Sequence, residues 1–306
     1  MTADRPLVWL PFDPAELGEA PAGLRYEVVD PTRHVPESVG EVELYVTPYR
    51  MAPEVADVLP RMTSLRVVQT LSAGVDNVRG RIPAGVTLCN GRGIHETSTA
   101  ELTLALILAS LRGLPRFVRQ QDRHEWRGGF EESLADKRVL IVGYGAVGAA
   151  IEARLLPFET EVVRVARTAR DGVQAIAELP GLLPTADVVV LVVPLTDETR
   201  GLVDAPFLDR MKQGALLVNV ARGAVVVTED LLAALEAGRI RAAVDVADTE
   251  PLPADHPLWT APGLLLSPHV GGASTAMWPR AYRLVRSQLE RFAAGEPLAN
   301  VMTGEY

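Results

Sequence analysis

The chain has 306 residues, a formal net charge of −9, 48% hydrophobic residues and 23% charged residues. This length predicts about two globular domains, and the acidic balance argues against nucleic acid or an anionic membrane as a main partner. The single cysteine, Cys89, excludes an intrachain disulfide and a multi-thiolate metal site. We therefore expect no metal centre and a buried, apolar role for Cys89.

The first residues show no basic segment followed by a long apolar stretch, which is the pattern of a secretory signal. No window approaches about 18 uninterrupted apolar residues, the length that spans a membrane. We therefore expect a cytoplasmic protein with no membrane partner.

Short runs rich in valine, isoleucine and leucine alternate with longer helical patterns, which is typical of parallel βαβ units. In the first third of the chain the runs predict five strands of one small α/β domain: Leu7–Pro11, Tyr26–Val29, Val42–Thr47, Arg66–Leu71 and Val86–Cys89.

A long helix that leaves this first domain is predicted to begin near Thr99. Ser98-Thr99-Ala100-Glu101 matches the capping-box pattern and stands directly before the apolar run Leu102–Leu111. Gly113 and Pro115 supply the end of the helix.

A second set of six apolar runs, again separated by helical segments, predicts a larger parallel sheet. A final helix is predicted from near Met277 to Ala294, ended by Gly295 and Pro297, and the last residues are expected to pack on the first domain. The six predicted strands are Arg138–Val142, Glu161–Ala166, Asp187–Val193, Ala215–Val220, Ile240–Val246 and Leu264–Leu266.

Gly143, Gly145 and Gly148 form a Gly-x-Gly-x-x-Gly motif between a strand and an alanine-rich helix. In this context Gly143 permits a tight turn, Gly145 lets the backbone approach a pyrophosphate, and Gly148 lets helix and strand pack closely. The helix N-terminus supplies free N–H groups for the phosphates. The alternative is an ordinary βα turn without a ligand, so the context favours a dinucleotide site.

The end of the second strand of this unit predicts which dinucleotide is preferred. NAD-binding turns place an acid there to bind the ribose 2′-hydroxyl, but this strand is followed by Arg167, Thr168 and Arg170. Two arginines favour a 2′-phosphate, and therefore NADP(H) over NAD(H). The alternative is a pair of solvated surface arginines.

Three polar residues follow three different strands: Arg222, Glu250 and His269. Since the carboxyl ends of parallel strands meet at one edge, we expect these side chains to lie together. An arginine fork binds a carboxylate, a histidine delivers a proton near neutral pH, and a carboxylate beside the imidazole favours its protonated form. The trio therefore suits the interconversion of 2-oxo and 2-hydroxy acids.

Each member of this trio also has a purely structural alternative. Arg222 could be a turn residue, His269 could cap a turn, and Glu250 could be a solvated loop acid.

With these motifs the chain resembles the D-isomer-specific 2-hydroxyacid dehydrogenase family, in particular its glyoxylate/hydroxypyruvate reductase-like members. The resemblance covers nearly the whole chain and is strongest from Asn90 to Ser274. The matching segments, besides the glycine turn, are Ser72–Asp76, Ala100-Glu101, Pro194–Gly201, Met211–Ala215, Asn219–Gly223, Asp245-Val246, Glu250–Pro253 and Pro268-His269.

The resemblance implies a two-domain α/β fold with a Rossmann-type doubly wound parallel sheet and a smaller flavodoxin-like substrate domain, with the active site in the cleft. The substrate-binding domain is then expected at residues 1–97 plus 275–306 and the dinucleotide-binding domain at 98–274. Members usually form dimers through the cofactor domain. Here the segment Arg116–Glu132, which contains Trp126, is expected to be the exposed arm of a homodimer.

The resemblance also implies roles for individual residues. Arg222 binds the substrate carboxylate together with the backbone at Ala73-Gly74, His269 is the acid/base, and Glu250 is its partner. Asp245 contacts the nicotinamide carboxamide, and Val193-Pro194 lies along the cofactor. The remaining implied cofactor contacts are Tyr144, Ala146, Val147, Thr199, Ala221, His269 and Gly271.

The sequence departs from the common family pattern at four positions. Arg167 replaces the usual acid, Ala247 stands where a large aromatic is frequent, Val220 stands where threonine is frequent, and Thr99 stands where valine is common. The last three do not touch the proposed chemistry and bear on pocket shape.

Two other functions stay open. The first is a dehydrogenase for an anion such as phosphite or formate, and the second is a cofactor-sensing binding protein like the family's co-repressor relatives. Glyoxylate and hydroxypyruvate are the default substrates, and the pocket residues remain a choice among Tyr49, Arg50, Met51, Trp278 and Tyr282.

Overall fold

The computed structural model describes residues 5–49 and 53–303. The chain divides into two compact units, Met1–His95 with Thr275–Tyr306, and Glu96–Ser274. We refer to them as unit 1 and unit 2. Unit 1 is discontinuous in sequence because the chain returns to it after unit 2 is complete.

Unit 1 is built on a five-stranded parallel sheet with the order β2-β1-β3-β4-β5. This is the flavodoxin-like order, in which the chain winds outward in both directions from β1. The strands are β1 Leu7–Leu10, β2 Arg25–Val28, β3 Val42–Val46, β4 Val67–Gln69 and β5 Thr87–Cys89, and the helices of this unit are α1 Pro53–Asp57 and α8 Met277–Ala294.

Both faces of the unit 1 sheet are buried, which explains why its strands are apolar without a clear alternation. In β1, Leu7 and Trp9 belong to one apolar cluster while Val8 and Leu10 belong to another, and Val285 of α8 is part of the second. Beyond α8, the amide of Met302 donates to the carbonyl of Leu88 at 2.8 Å, so this segment extends the edge at β5.

Unit 2 contains a seven-stranded parallel sheet with the order β12-β11-β10-β9-β6-β7-β8. The chain starts at the central β6, adds β7 and β8 on one side, and then returns to add β9 to β12 on the other. The strands are β6 Arg138–Val142, β7 Glu161–Ala166, β8 Gln174–Ala175, β9 Val188–Leu191, β10 Leu216–Asn219, β11 Arg241–Val244 and β12 Leu264–Leu266.

Helices cover both faces of this second sheet, since Leu140 and Val142 of β6 join one apolar cluster while Val139 and Ile141 join another. The helices of unit 2 are α2 Glu96–Leu111, α3 Leu114–Asp122, α4 Ala146–Leu155, α5 Leu179–Leu182, α6 Ala205–Arg210 and α7 Thr228–Glu236. The predicted α/β fold class is confirmed.

One local prediction is wrong, and one short strand was missed. The long helix begins at Glu96 rather than near Thr99, because Ser98 lies inside the helix and shares a 2.6 Å hydrogen bond with the hydroxyl of Ser274 instead of capping a backbone amide. The short strand β8 was not predicted, since two residues are too few to show a strand period.

The segment Arg116–Glu132 is helical in its first part, within α3, and irregular from residue 123 to 133. Trp126 and Phe130 are fully exposed within unit 2, and Leu114 and Val118 of α3 are about half exposed. Across residues 5–49 and 53–303, no helix combines the length and the apolar character needed to cross a membrane.

Candidate active site

The glycine turn lies at the point where the winding of the unit 2 sheet reverses. Gly143 follows β6, and its neighbour across the sheet edge is the peptide that joins Val192 to Val193 after β9. Ligands of doubly wound sheets bind beyond the carboxyl ends of the strands at this reversal. The turn and the Val193-Pro194 segment are therefore next to each other where a dinucleotide site is expected.

Two of the three glycines are explained by packing inside the protein. Gly143 has a φ of 110°, and a Cβ there would lie 2.6 Å from the carbonyl carbon of Val192. A Cβ at Gly148 would lie 2.7 Å from the carbonyl oxygen of Gly143. Neither position has room for a side chain.

Gly145 is different, because neither strain nor crowding requires a glycine there. Its φ of −105° and ψ of −154° suit other residues, and an added Cβ would meet no heavy atom of the described residues within 4 Å. The residue begins α4, whose first amides have no acceptor within the helix. A backbone that must be approached closely by a phosphate explains this glycine, so the turn fits a dinucleotide.

The three residues predicted to select the cofactor lie exposed after β7. Arg167 forms an ion pair of 3.2 Å with Glu198, and both side chains are more than half exposed. Arg170 donates through Nη2 to the carbonyl of Tyr144 in the glycine turn. The structure thus places Arg170 directly against the turn, and Arg167 beside an acidic partner.

The imidazole of His269 and the carboxylate of Glu250 form a direct pair. Nδ1 of His269 lies 2.5 Å from Oε2 of Glu250, and the second carboxylate oxygen accepts the amide of Ala247 at 3.1 Å. The two side chains are 47% and 37% exposed within unit 2. The contact of Nδ1 with Glu250 therefore orients the imidazole, and Nε2 is the nitrogen that can exchange a proton with a substrate.

The charges around this pair shift its pKa values in opposite directions. The hydrogen bond that Nδ1 of His269 donates to Glu250 raises the pKa of His269, and this effect outweighs the burial and the charge of Arg222, which act to lower it. Burial acts to raise the pKa of Glu250, but the contacts with His269 and the charge of Arg222 lower it overall. Arg222 is thus close enough for its charge to act on both groups. That the three side chains act together in catalysis stays a prediction.

The loop that carries His269 is anchored on the buried carboxylate of Asp245, which is 3% exposed. Oδ1 accepts the hydroxyl of Ser267 at 2.5 Å and the amide of Val270 at 2.9 Å, and Oδ2 accepts the amide of Gly271 at 2.7 Å. The backbone carbonyl of Asp245 also accepts the amide of His269 at 2.7 Å. Asp245 therefore fixes the histidine loop, and its predicted contact with the nicotinamide stays a prediction.

The loop that carries Arg222 is fixed by Asn219, the last residue of β10. The Asn219 side chain accepts the amide of Ala221 at 3.0 Å and donates to the carbonyl of Arg222 at 3.1 Å. A Cβ at Gly223 would lie 2.0 Å from the carbonyl carbon of Ala247. The absence of a side chain at Gly223 therefore lets the arginine loop touch the segment that leads to Glu250.

Thr199 and Gly271, both predicted cofactor contacts, have internal partners. The hydroxyl of Thr199 is buried, donates to the carbonyl of Pro194 at 2.6 Å and accepts the amide of Thr196 at 2.9 Å. Thr199 thus holds the turn that follows Val193. Val193 and Ala221 are themselves buried beside this edge. For these residues, as for Ala146 and Val147 in the first turn of α4, cofactor contact stays a prediction.

In unit 1 the predicted carboxylate loop follows β4. The carbonyl of Ala73 accepts from the Asn90 side chain at 3.0 Å, and the carbonyl of Gly74 accepts from the Ser72 hydroxyl at 2.7 Å. A Cβ at Gly91 would lie 2.7 Å from the carbonyl carbon of Leu71. The segment after β5 therefore supports this loop.

The structure describes three of the five residues considered for the substrate pocket. Tyr49 lies with its ring centroid 5.3 Å from that of His95. Trp278 and Tyr282 of α8 stack at 5.6 Å, and both rings also contact Phe12 after β1. Arg50 and Met51 lie outside the described residues.

Three supporting residues were not predicted as site residues: Asn219, Gly223 and Ser267. Asn219 carried a usable signal, because a polar residue ends an otherwise buried strand whose other members are Leu216, Leu217 and Val218. Gly223 and Ser267 carried none, since each acts through a contact with a distant part of the chain.

Comparison with known proteins assigns the class. Residues 104–271 match the family model described as D-isomer specific 2-hydroxyacid dehydrogenase, NAD binding domain. The chain is 32% identical over 256 residues to the human glyoxylate reductase/hydroxypyruvate reductase, covering 77% of this chain and 76% of that protein.

Two crystal structures are similar over 98% of the chain. One is a D-isomer specific 2-hydroxyacid dehydrogenase family protein from Aeromonas salmonicida, 30% identical, with a TM-score of 0.87 and 99% of that chain covered. The other is a D-isomer specific 2-hydroxyacid dehydrogenase from Xanthobacter autotrophicus in complex with NADPH and MES, 31% identical, with a TM-score of 0.83 and 98% of that chain covered.

The chain therefore belongs to the D-isomer specific 2-hydroxyacid dehydrogenase family. This confirms the resemblance predicted from the sequence, and by this membership the protein is an NAD(P)-linked oxidoreductase of 2-hydroxy acids.

The contrast between Gly143 and Gly145 yields a matched pair of variants. Gly145→Ala should change the free energy of unfolding by less than about 1 kcal/mol, but should weaken cofactor binding because the new methyl group stands where the phosphates approach. A steric cost of about 1–3 kcal/mol corresponds to about 5- to 150-fold in Kd. Gly143→Ala should instead lower the unfolding temperature. Fluorescence titration and thermal unfolding measure the two effects; wild-type cofactor affinity in Gly145→Ala would contradict the assignment of the turn.

Proposed function

We propose that this protein transfers a hydride between NADP(H) and C2 of a small 2-oxo or 2-hydroxy acid of the D series, with glyoxylate and hydroxypyruvate as the default substrates. The observation that carries the proposal is the 2.5 Å pair of His269 with Glu250, within reach of the charge of Arg222. The name of the human relative supports the choice of substrates.

The residues of the chain have complementary tasks in this reaction. The guanidinium of Arg222 binds the substrate carboxylate, and its two parallel donors orient the adjacent carbonyl. The imidazolium of His269 gives its proton to the alkoxide oxygen as that oxygen gains charge, and takes it back in the reverse direction. Glu250 keeps the imidazole oriented and favours its charged form. A role for the Ala73-Gly74 backbone in binding the same carboxylate stays a prediction.

The cofactor is held by the glycine turn and the start of α4, and when bound it supplies or accepts the hydride. We infer that Arg167, Thr168 and Arg170 favour the 2′-phosphate of NADP(H). The support is their exposed position after β7, the contact of Arg170 with the glycine turn, and the NADPH bound to the Xanthobacter relative. Glu198 competes with that phosphate for Arg167, because it already pairs with the guanidinium.

We also infer a homodimer. The exposed Trp126 and Phe130, with the half-exposed Leu114 and Val118, present large apolar side chains to solvent within unit 2. Exposed apolar patches mark interaction surfaces, and a second copy of the chain would cover this one. The cytoplasmic location remains a prediction.

The proposed chemistry is tested with two variants and a control. His269→Ala should lower kcat for glyoxylate reduction by about 10²–10⁴, the usual contribution of a placed acid/base. Arg222→Lys should lower kcat/KM because a point charge cannot replace the planar fork. His256→Ala, which removes a histidine whose Nδ1 accepts the amide of Leu258 at 3.2 Å, should keep turnover. Near-normal activity in either site variant, or turnover of formate or phosphite but of no 2-oxo acid, would exclude the proposal.

The raised pKa of His269 predicts that the rates of reduction and oxidation depend on pH in opposite ways. Reduction needs the protonated imidazole, so its rate should fall as the pH rises through the raised pKa. Oxidation needs the neutral imidazole and should fall as the pH drops below that pKa. Glu250→Gln removes the main cause of the shift and should move both limbs to lower pH. Steady-state rates of both reactions, measured across pH, test this prediction. If reduction and oxidation both fall on the same side of the pKa, His269 is not the proton donor.

The cofactor preference is measured as the ratio of kcat/KM with NADPH to kcat/KM with NADH. Each charge-assisted hydrogen bond to the 2′-phosphate contributes about 1.5–3 kcal/mol, so one or two should give a ratio of about 10–10³. Arg167→Asp should erase the preference, and Glu198→Gln should increase it by releasing Arg167. Arg33→Asp makes the same charge change in unit 1 and should leave the ratio unchanged. A wild-type ratio below one would refute the preference.

Light scattering at micromolar concentration should give the mass of a dimer. Replacing Trp126 and Phe130 together by aspartate should produce a monomer, since charged side chains in an apolar interface are strongly unfavourable. Trp259→Asp, which changes a second tryptophan of unit 2 that is only half exposed, should leave the dimer intact. A wild-type protein with the mass of a monomer would contradict the inferred homodimer and the role of Trp126 and Phe130 in it.

A further inference from the structure

Glu152 is a buried carboxylate for which the proposed chemistry has no use. It lies in α4, the helix that begins at the glycine turn, and is 5% exposed. A buried charge is costly unless it is paired and hydrogen-bonded. The partners of Glu152 therefore indicate what a buried acid contributes at this position.

The partners of Glu152 come from β7 and from the glycine turn itself. Nε of Arg164 donates to the two carboxylate oxygens at 2.8 and 2.9 Å, and Nη2 of Arg164 donates as well. The hydroxyl of Tyr144 donates to Oε2. Arg164 holds the pKa of Glu152 below its usual value, and the bond to Glu152 raises the pKa of Tyr144. The carboxylate is thus charged and the phenol stays a donor.

Two guanidinium groups lie against the ring of Tyr144. The Cζ atom of Arg164 is 5.6 Å from the ring centroid and that of Arg170 is 5.9 Å from it. Both distances are within the range of cation–π attraction. Because the Tyr144 carbonyl also accepts from Arg170, the side chain of Arg170 is held by two separate features of one residue.

The backbone of Arg170 is fixed as well. Its amide donates to the carbonyl of Val173 at 3.0 Å, and the amide of Val173 donates back at 2.8 Å. This closes a tight turn between β7 and β8 in which Gly172 has a φ of 68°. The turn therefore fixes the backbone position from which the Arg170 side chain extends towards Tyr144. Arg164 contacts the same tyrosine ring.

We propose that Tyr144 and Glu152 are positioning residues for cofactor choice, which hold the guanidinium of Arg170 at the glycine turn for the 2′-phosphate. This inference rests on the proposed use of NADP(H). A flexible arginine loses conformational freedom when it binds a phosphate, whereas one that is already held loses less. Glu152 anchors Tyr144, Tyr144 holds Arg170, and Arg170 meets the phosphate.

A double-mutant cycle on the NADPH/NADH ratio of kcat/KM tests the inference. One charge-assisted bond corresponds to about 10- to 10²-fold in the ratio, so Arg170→Ala should lower it by that amount. Tyr144→Leu should lower it by about 3- to 10-fold, within the range measured for neighbouring residues. The ratio of the double variant, Tyr144→Leu with Arg170→Ala, should be no lower than the ratio of Arg170→Ala alone, because Tyr144 acts only through Arg170.

Glu152→Gln keeps the size of the side chain and should lower the ratio less than Tyr144→Leu does. Arg154→Ala removes an arginine of the same helix that bonds to the backbone of Ala150, and should leave the ratio unchanged. Thermal unfolding of every variant separates a loss of stability from a change in selectivity.

The outcomes distinguish this inference from the proposed function. A wild-type enzyme that prefers NADH overturns both. A wild-type preference for NADPH with an unchanged ratio in Arg170→Ala or Tyr144→Leu, or with additive effects of the two, overturns the inference and leaves the proposed function intact. A lower unfolding temperature in Glu152→Gln with a wild-type ratio shows that Glu152 is structural alone.

Discussion

The arrangement of the active site depends on one buried carboxylate, Asp245 at the end of β11. Burying an ionised carboxylate is expensive unless donors replace its water, and here a hydroxyl and two amides from one loop do so. Hydrogen bonds to a charged group contribute about 1.5–3 kcal/mol each. Since all three donors lie between Ser267 and Gly271, the loop has little freedom, and His269 is held in a left-handed conformation with a φ of 52°.

The remaining parts of the site depend on backbone contacts between neighbouring strand ends. Asn219 shapes the loop of Arg222, and Gly223 allows that loop to touch the segment at Ala247, whose amide in turn holds Glu250. At the other side of the sheet reversal, Gly143 lies against the peptide after Val192. The side chains of the proposed catalytic trio are thus carried on short loops that a rigid parallel sheet positions, which is a common arrangement for functional residues.

The sequence predicts the parts of this molecule that depend on local patterns. The bounds of β6, β7, β12 and α8 agree with the structure at both ends. The three strands are runs rich in apolar residues with polar or glycine residues next to them, and α8 ends at Gly295. The trio of Arg222, Glu250 and His269 was predicted to meet because parallel strands end at one edge. The predicted start of α2 was wrong because the capping-box pattern at Ser98 lies inside the helix, and Ser98 bonds instead to Ser274, 176 positions away. Gly223 escaped prediction because its contact with Ala247 joins the ends of two different strands. Glu152 escaped it because its partners lie on β7 and in the glycine turn rather than on its own helix.

The structure also shows how an acidic chain neutralises the carboxylates near its candidate site. A chain with a net charge of −9 must bind an anionic cofactor and an anionic acid, so its carboxylates near the site have to be neutralised. Glu250 is paired with His269, Glu152 with Arg164, and Asp245 is surrounded by donors. Each of these acids is thus neutralised by partners inside the protein. Glu198 differs from them, because both it and its partner Arg167 are more than half exposed, and screening by water and salt keeps such a surface ion pair weak.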